Sequence, residues 1–473
     1  MKKRLVALLC ILMSCSFAAC SFAMPNTNTT TSSSSKRNST NRNSSRKNSS
    51  KNKSSFEDES SFEDDNSSSS FEETEDVVLY QAEDIVREDL MWDLDELYAI
   101  TPEIKEEGAV YLGENIQTFK FKGPAYKDLD ETWVFAAMGM PTSKKPAGGY
   151  PAILLLHGGG GTVSVDWINY WNSQGYVAFA FDGWGWELNE SREHVKNPEG
   201  GPENVDGSNY ASVDNPEDAW VYHVVYNSIM ANNILRAQSS VDEKRIVVTG
   251  NSWGGYATCV LSGVDKRFAA FAPLNGCGYL YTDSKWAHGP FGGEEREKWI
   301  SLYDPSSYLP YATKPMLFVS GVDDEYFSAY NRTRSAMLVP GKTFFSQRYS
   351  LNHANWKDTD ETAAFFSHVL YQTPFSQIGE PTTHYSKERG DYVTFDYEYG
   401  DETYEKVYFV YTDSTAEDSH TWEWKRMEVE AVDGEYFVQI DYHELRAYFF
   451  ETVGEFSQST PISIVMGTHS QYY

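Results

Sequence analysis

Apolar positions in the middle of the chain fall in short unbroken runs, not in alternation. Residues 150–156 (YPAILLL) are apolar throughout, as a strand buried on both faces of a parallel sheet should be. Residues 176–181, 246–249, 268–274, 315–320 and 343–349 read the same way. Between them lie stretches that read as helices, at 167–172, at 214–238, where Asp214-Asn215-Pro216 supplies capping chemistry, and at 358–371. Strand and helix alternate, which predicts a doubly wound, mostly parallel sheet with helices on both faces. Residues 116–122 and 132–138 read as antiparallel strands ahead of it, and residues 77–107 as one or two short helices lying against it. Residues 276–311 are rich in Trp, Tyr, Gly and Pro and read as irregular.

The pattern changes after residue 375. Aromatic-rich alternating segments such as YVTFDYEY, KVYFVYT and RAYFFETV follow one another with turns every 8–12 residues. This is the period of a small β-sandwich, of which the immunoglobulin type is one form. The expected organisation is therefore a catalytic domain over 77–375 and an all-β module over 376–473, the latter for packing or for sugar contact.

The N-terminus reads as targeting. Lys2, Lys3 and Arg4 precede an apolar run too short to span a bilayer, and residues 1–23 form a signal segment. Small residues before Cys20 suggest a lipoprotein signal with Cys20 as the lipidated residue; Cys15 and plain cleavage after Ala23 are the alternatives. Residues 24–76 are Ser/Asn/Thr/Lys-rich and then acidic, with too little apolar content to fold, as expected of a tether. The expected location is outside the cell or on its surface, with a lipid anchor as the sole membrane contact. A formal charge of −30 over 473 residues argues against a nucleic-acid partner. Of the 5 cysteines only Cys259 and Cys277 fall in the folded part, and they read as buried thiols more readily than as a disulfide. No Cys/His cluster has metal-ligand spacing, so neither metal nor organic cofactor is expected.

The chemistry centres on 245–257, RIVVTGNSWGGYA. A β-branched run leads into Gly250-Asn251-Ser252-Trp253-Gly254, the G-x-S-x-G pattern of a serine on a sharp strand-to-helix turn. Such a serine needs a base, and the base an orienting carboxylate. Post-strand loops offer Asp323 or Asp324 and then His353, in that chain order; Asp324, three residues past Gly321, is the preferred acid. The N–H of Trp253 and the glycines after His157, with Gly159 and Gly160 first, are the expected oxyanion donors.

His157-Gly-Gly-Gly-Gly-Thr, Gly250-Asn-Ser-Trp-Gly-Gly-Tyr, Asn275-Gly-Cys-Gly-Tyr and Gly321-Val-Asp-Asp resemble the α/β-hydrolase superfamily. Within it they are most similar to the bacterial prolyl-oligopeptidase-type and acetylxylan-esterase-like branch, over about residues 130–372. The resemblance implies Ser252 as nucleophile, Asp324 as acid and His353 as base. It departs in having a second aspartate, Asp323, before the acid. The resemblance implies an acylated carbohydrate or a peptide as substrate. Trp184, Trp186, Tyr281, Trp286, Phe291 and Trp299 are then candidates to stack on sugar rings. A serine peptidase is the alternative, with Glu294 and Glu295 as a pair to hold a substrate amine. Its weakness is the short segment before the sheet, which cannot build a propeller of four or more blades. A non-catalytic binding protein is the third reading, opposed by the complete set of triad residues.

Overall fold

The computed structural model describes residues 78–80, 82–106, 109–203, 213–286, 295–353, 360–399 and 405–465. The signal, Cys20, the low-complexity tether, Phe291 and Glu294 lie outside the described residues.

The chain opens with α1 (Leu94–Ala99), capped by the Asp93 carboxylate accepting from the Glu96 N–H, then β1 (Ile104–Lys105), β2 (Ile116–Gly123) and β3 (Thr132–Gly139). After these come β4 (Tyr150–Leu156), α2 (Val165–Ser173), β5 (Val177–Phe181), a hairpin of β6 (Trp186–Leu188) and β7 (His194–Lys196), and α3 (Trp220–Arg236). The elements β8 (Val241–Asn251), α4 (Trp253–Val264), β9 (Ala270–Leu274), α5 (Arg296–Tyr303) and β10 (Met316–Gly321) follow. Last in this part are α6 (Ala329–Met337), β11 (Thr343–Arg348) and α7 (Asp360–Tyr371). Nine strands join in the order β1-β2-β3-β5-β4-β8-β9-β10-β11. Pairing is antiparallel from β1 through β3 to β5 and parallel from β5 onward.

The unbroken apolar runs explain the two-sided core. Alternate residues of a strand point to opposite faces. Ala152, Leu154 and Leu156 of β4 join α3 and α4 on one face, while Ile153 and Leu155 join α2 and α7 on the other. In β5 the same alternation puts Val177, Phe179 and Phe181 under α3, and the small Ala178 and Ala180 on the face covered by α2, where Trp171 takes the space.

Two expectations are corrected here. Residues 276–311 contain a helix, α5, whose buried Trp299 and Tyr303 stand four apart on one face. The long helix begins at Trp220 and not near 214, because Pro216–Asp218 makes a separate 3-10 turn. Cys259 and Cys277 are both free and buried.

The C-terminal region has its own sheets. The strands are β12 (Gln377–Ile378), β13 (Thr382–Ser386), β14 (Gly390–Thr394), β15 (Tyr397–Tyr399), β16 (Lys406–Thr412), β17 (Lys425–Glu428), β18 (Phe437–Gln439), β19 (Ala447–Val453), β20 (Ser457–Ser459) and β21 (Ser463–Ile464). One sheet runs β17-β16-β19-β20, with β21 also on β19; another is β13-β14-β18. Val393 and Val438 of the second meet Val407, Phe409 and Phe450 of the first in a shared core. The opposite face of the first sheet, with Val410, Ala447 and Phe449, packs on Val322 and Ala329 at the end of β10 and the start of α6. The larger sheet is thus buried on both faces, and one of them covers the turn that carries Asp324. Trp422 and Trp424 precede β17, which starts at Lys425, and the Trp422 indole N–H donates to the Ala416 carbonyl at 2.9 Å.

Candidate active site

Ser252 sits between β8 and α4 at φ 57°, ψ −118°, in a region that side chains other than glycine rarely adopt. The glycines around it are needed for close approach. A Cβ on Gly250 would lie 2.3 Å from the Gly254 carbonyl oxygen, and one on Gly254 would lie 1.9 Å from that of Leu156. The turn is sharp because these backbones touch, and it lifts Ser252 above the carboxyl ends of the parallel strands.

Three predicted residues come together there. The Ser252 hydroxyl lies 2.9 Å from His353 Nε2, and His353 Nδ1 lies 2.8 Å from Asp324 Oδ2. Asp324 is 3% exposed, whereas its neighbour Asp323 is exposed to solvent. The second oxygen of Asp324 accepts from the N–H groups of Tyr326 and Phe327, at 2.9 and 3.0 Å. These bonds leave one oxygen facing the imidazole. Phe327 stacks parallel to the His353 ring, and Tyr326 flanks it with 5.0 Å between centroids. Arg332 on α6 donates to the carbonyls of Gly321 and Phe327, both at 2.7 Å, and so grips the Asp324 turn at both ends. Burial pushes the Arg332 pKa down, partly offset by the charge of Asp324. Asn275, at φ 47° after β9, donates to the His353 carbonyl at 3.1 Å and to Asn251 Oδ1 at 2.9 Å, tying the histidine loop to the serine turn. Arg332 and Asn275 were not singled out from sequence. Asn275 stood in the quoted motif, while Arg332 lies in a helix with no distinguishing pattern.

Ser252 and His353 line a cleft of about 520 Å³ together with the His157–Thr162 loop, Trp167 and Asn251, a size typical of small-molecule sites. Gly158 lies closest to the serine: a Cβ there would meet Ser252 Cβ at 2.9 Å. Gly159 lies against the Trp253 ring, 3.2 Å from such a Cβ. Neither the Trp253 N–H, at the start of α4, nor the Gly159 N–H has a partner among the described residues. Gly160, by contrast, is at φ +67° with open space around it and is not among the lining residues. His157 accepts from the Gly183 N–H at Nε2, 2.9 Å, which leaves Nδ1–H to donate to the Gly158 carbonyl at 2.8 Å. Burial lowers its pKa, consistent with this neutral form.

Of the aromatic residues expected to stack on sugars, the described ones, Trp184, Trp186, Tyr281, Trp286 and Trp299, are not among the residues that line the cleft. Trp299 is 5% exposed and packs on Tyr303. Trp286 packs on Trp253 and Phe327, at 5.1 and 5.5 Å. Arg296 covers the Tyr281 ring, and Trp186 packs on His194. Trp184 borders the glycine loop near Gly159. Their rings contact other side chains, and among the described residues the tryptophan that lines the cleft is Trp167, on the first turn of α2. Glu295 is exposed at the start of α5 and outside the cleft lining.

Asp283, Asp418 and His420 place one ligand atom each within 4.8 Å of one another, away from the cleft. Asp283 there already accepts from Ser328 and Ser419. No helix among the described residues is long and apolar enough to cross a membrane.

Residues 75–279 match the family model of acetyl xylan esterase (AXE1). Among solved structures, the chain is similar to an acetyl xylan esterase from Paenibacillus sp. R4, with 16% identity, 62% of this chain and 97% of that one covered, and a TM-score of 0.47. It is similar also to acetyl xylan esterase 1 from Thermoanaerobacterium sp. JW/SL YS485, with 16% identity, 62% and 96% covered, and a TM-score of 0.44. A Pyrococcus horikoshii acylaminoacyl peptidase shares 16% identity over 56% of this chain and 43% of its own, with a TM-score of 0.42. No curated protein matches the sequence. The sheet order is that of an α/β-hydrolase fold, and the acetyl xylan esterase match covers less than half of the chain.

Proposed function

We propose that this α/β-hydrolase is a serine esterase that removes acetyl groups from a plant-type polysaccharide, with Ser252 as nucleophile, His353 as base and Asp324 as the carboxylate that orients it. The observation that carries the reading is the unbroken hydrogen-bond chain Ser252–His353–Asp324 at the edge of an open cleft.

A serine hydroxyl is a weak nucleophile at neutral pH. Here Oγ attacks the ester carbonyl carbon as His353 Nε2 takes its proton. Asp324, held by two backbone N–H groups, keeps Nδ1–H directed at itself and stabilises the imidazolium. The negative charge that forms on the carbonyl oxygen meets the Trp253 and Gly159 N–H groups. Collapse of the intermediate expels the sugar alkoxide, which leaves with the proton from His353. Water, deprotonated by the same histidine, then attacks the acyl-enzyme, and acetate and free Ser252 result.

The lining supports an uncharged substrate at the reaction centre, since among the described residues it contains no Asp, Glu, Lys or Arg. A peptidase that grips a terminal amine would need a carboxylate there. The choice of an acetylated xylan-type substrate rests on the family match. Export with a lipid at Cys20 is part of the same reading and rests on the sequence of residues 1–23.

The test is a substrate panel. Release of acetate from acetylated xylo-oligosaccharides, with no cleavage of aminoacyl or Xaa-Pro amides, is the expected result. Cleavage of the amides without acetate release would move the chain to the peptidases.

A further inference from the structure

The loop proposed to meet the oxyanion is built from four consecutive glycines, 158–161, with no side chain to hold it. Such a loop has more conformational freedom than any other sequence of its length. One backbone bond closes it, from the Gly161 N–H to the Gly158 carbonyl at 3.1 Å. Its shape is otherwise set at its ends. His157 holds the first end through the Gly183 N–H. Thr162 holds the second, its hydroxyl donating to Asp182 Oδ2 at 2.8 Å.

Asp182 stands at the carboxyl end of β5 and is 2% exposed. Its Oδ2 also meets His194 Nε2 at 2.8 Å, and its Oδ1 accepts from the N–H groups of Trp184 and Trp186 at 3.0 and 3.1 Å. An ionised carboxylate has about four lone-pair sites, and here four donors use them. Burial opposes ionisation, yet the hydrogen bonds from His194 and from the Trp184 N–H outweigh it and hold the Asp182 pKa below the ordinary carboxylate value. The group is therefore a fixed anion with no lone pair left for a substrate. It grips Thr162 below the glycine loop and the backbone of Trp184, whose ring borders Gly159 from the other side.

We propose that Asp182, acting through Thr162, is the positioning residue that sets the oxyanion loop against Ser252, so that it contributes to the rate of acyl transfer without touching substrate. This rests on the serine esterase reading above. It separates Asp182 from the proton-transfer chain of Ser252, His353 and Asp324, with which it shares no hydrogen bond among the described residues.

The experiment measures kcat, KM and Tm on an acetyl ester for Thr162→Val, Thr162→Ser, Asp182→Asn and Ser252→Ala. Valine keeps the shape of threonine and removes the donor; serine restores it. Thr162→Val is expected to lose about tenfold or more in kcat, toward the cost of losing one oxyanion donor, with KM within about twofold and Tm nearly unchanged. Thr162→Ser is expected to recover most of the rate. Asp182→Asn is expected to fall further, because an amide nitrogen cannot accept from both Thr162 and His194. If Thr162→Val keeps its kcat, or if Thr162→Ser loses as much, while Ser252→Ala abolishes activity, the positioning role is wrong and the esterase reading stands. If Ser252→Ala keeps wild-type activity, both fall.

Discussion

The ring of Phe327 lies parallel to the imidazole of His353, with 6.1 Å between centroids and 3° between planes. Its own N–H donates to Asp324. One residue thus holds Asp324 by its backbone and bounds His353 by its side chain. The turn after β10 brings Asp324, and not the exposed Asp323, to the imidazole. Asp324→Asn is expected to lower kcat by ~10⁴-fold, through loss of the correct tautomer. Asp323→Asn, at an exposed position, is expected to stay within about twofold of wild type. Steady-state kinetics on an acetyl ester distinguish the two.

Arg332 holds both ends of that turn from a fully buried position. Arg332→Leu leaves two carbonyls without their donor and removes a positive charge that interacts with Asp324. It is expected to destabilise the fold by about 3 kcal/mol and to lower kcat by at least about tenfold. Denaturant unfolding and kinetics on the same preparation check both. A variant with wild-type kcat would show that the turn holds itself.

His223 is 2% exposed, with its ring packed edge-on against Tyr126 and Tyr222. Burial depresses its pKa from the ordinary 6.5 to about 3. The unfolded chain therefore binds a proton that the folded chain refuses. This contribution to stability is full above about pH 6.5 and is lost as pH falls toward 3. By pH 5 the loss amounts to about 2 kcal/mol. Tm is expected to fall between pH 7 and pH 5 in the wild type, and to fall less in His223→Leu. Equal slopes for the two proteins would contradict this assignment.

Trp422 stacks on Tyr330 of α6 with 6.2 Å between centroids, in the cluster that also buries Val322 and Ala329 beside the Asp324 turn. The C-terminal sheets therefore brace the acid-bearing turn. Trp422→Ala is expected to cost about 3–5 kcal/mol, visible by thermal unfolding. Truncation after Tyr371 would bare the same apolar surface, and an insoluble or inactive product is expected.

Much of this was legible in the chain. The strand at Tyr150–Leu156 falls where its unbroken apolar run predicts, because burial on both faces leaves no room for polar residues. Ser252, Asp324 and His353 come together as their order and post-strand positions suggest, since a parallel sheet gathers the loops at one end of its strands. The aromatic residues were misread because tryptophan-rich sequence looks alike whether its rings face a sugar or one another. Trp286 and Trp299 pack internally, and the lining tryptophan, Trp167, was read only as part of a helix. Asp182, Arg332 and Asn275 act through long-range hydrogen bonds, and no local pattern announces these. The helix at Arg296–Tyr303 was missed because it is short and only two of its residues, Trp299 and Tyr303, are buried.

The most direct test is kcat/KM for acetate release by the wild-type protein and Ser252→Ala, measured side by side on an acetylated xylo-oligosaccharide. The wild type should release acetate, and the variant should lose on the order of 10⁶-fold, as removal of a triad serine does elsewhere. A loss of less than about tenfold would contradict the assignment of Ser252 as nucleophile and, with it, the mechanism built on His353 and Asp324.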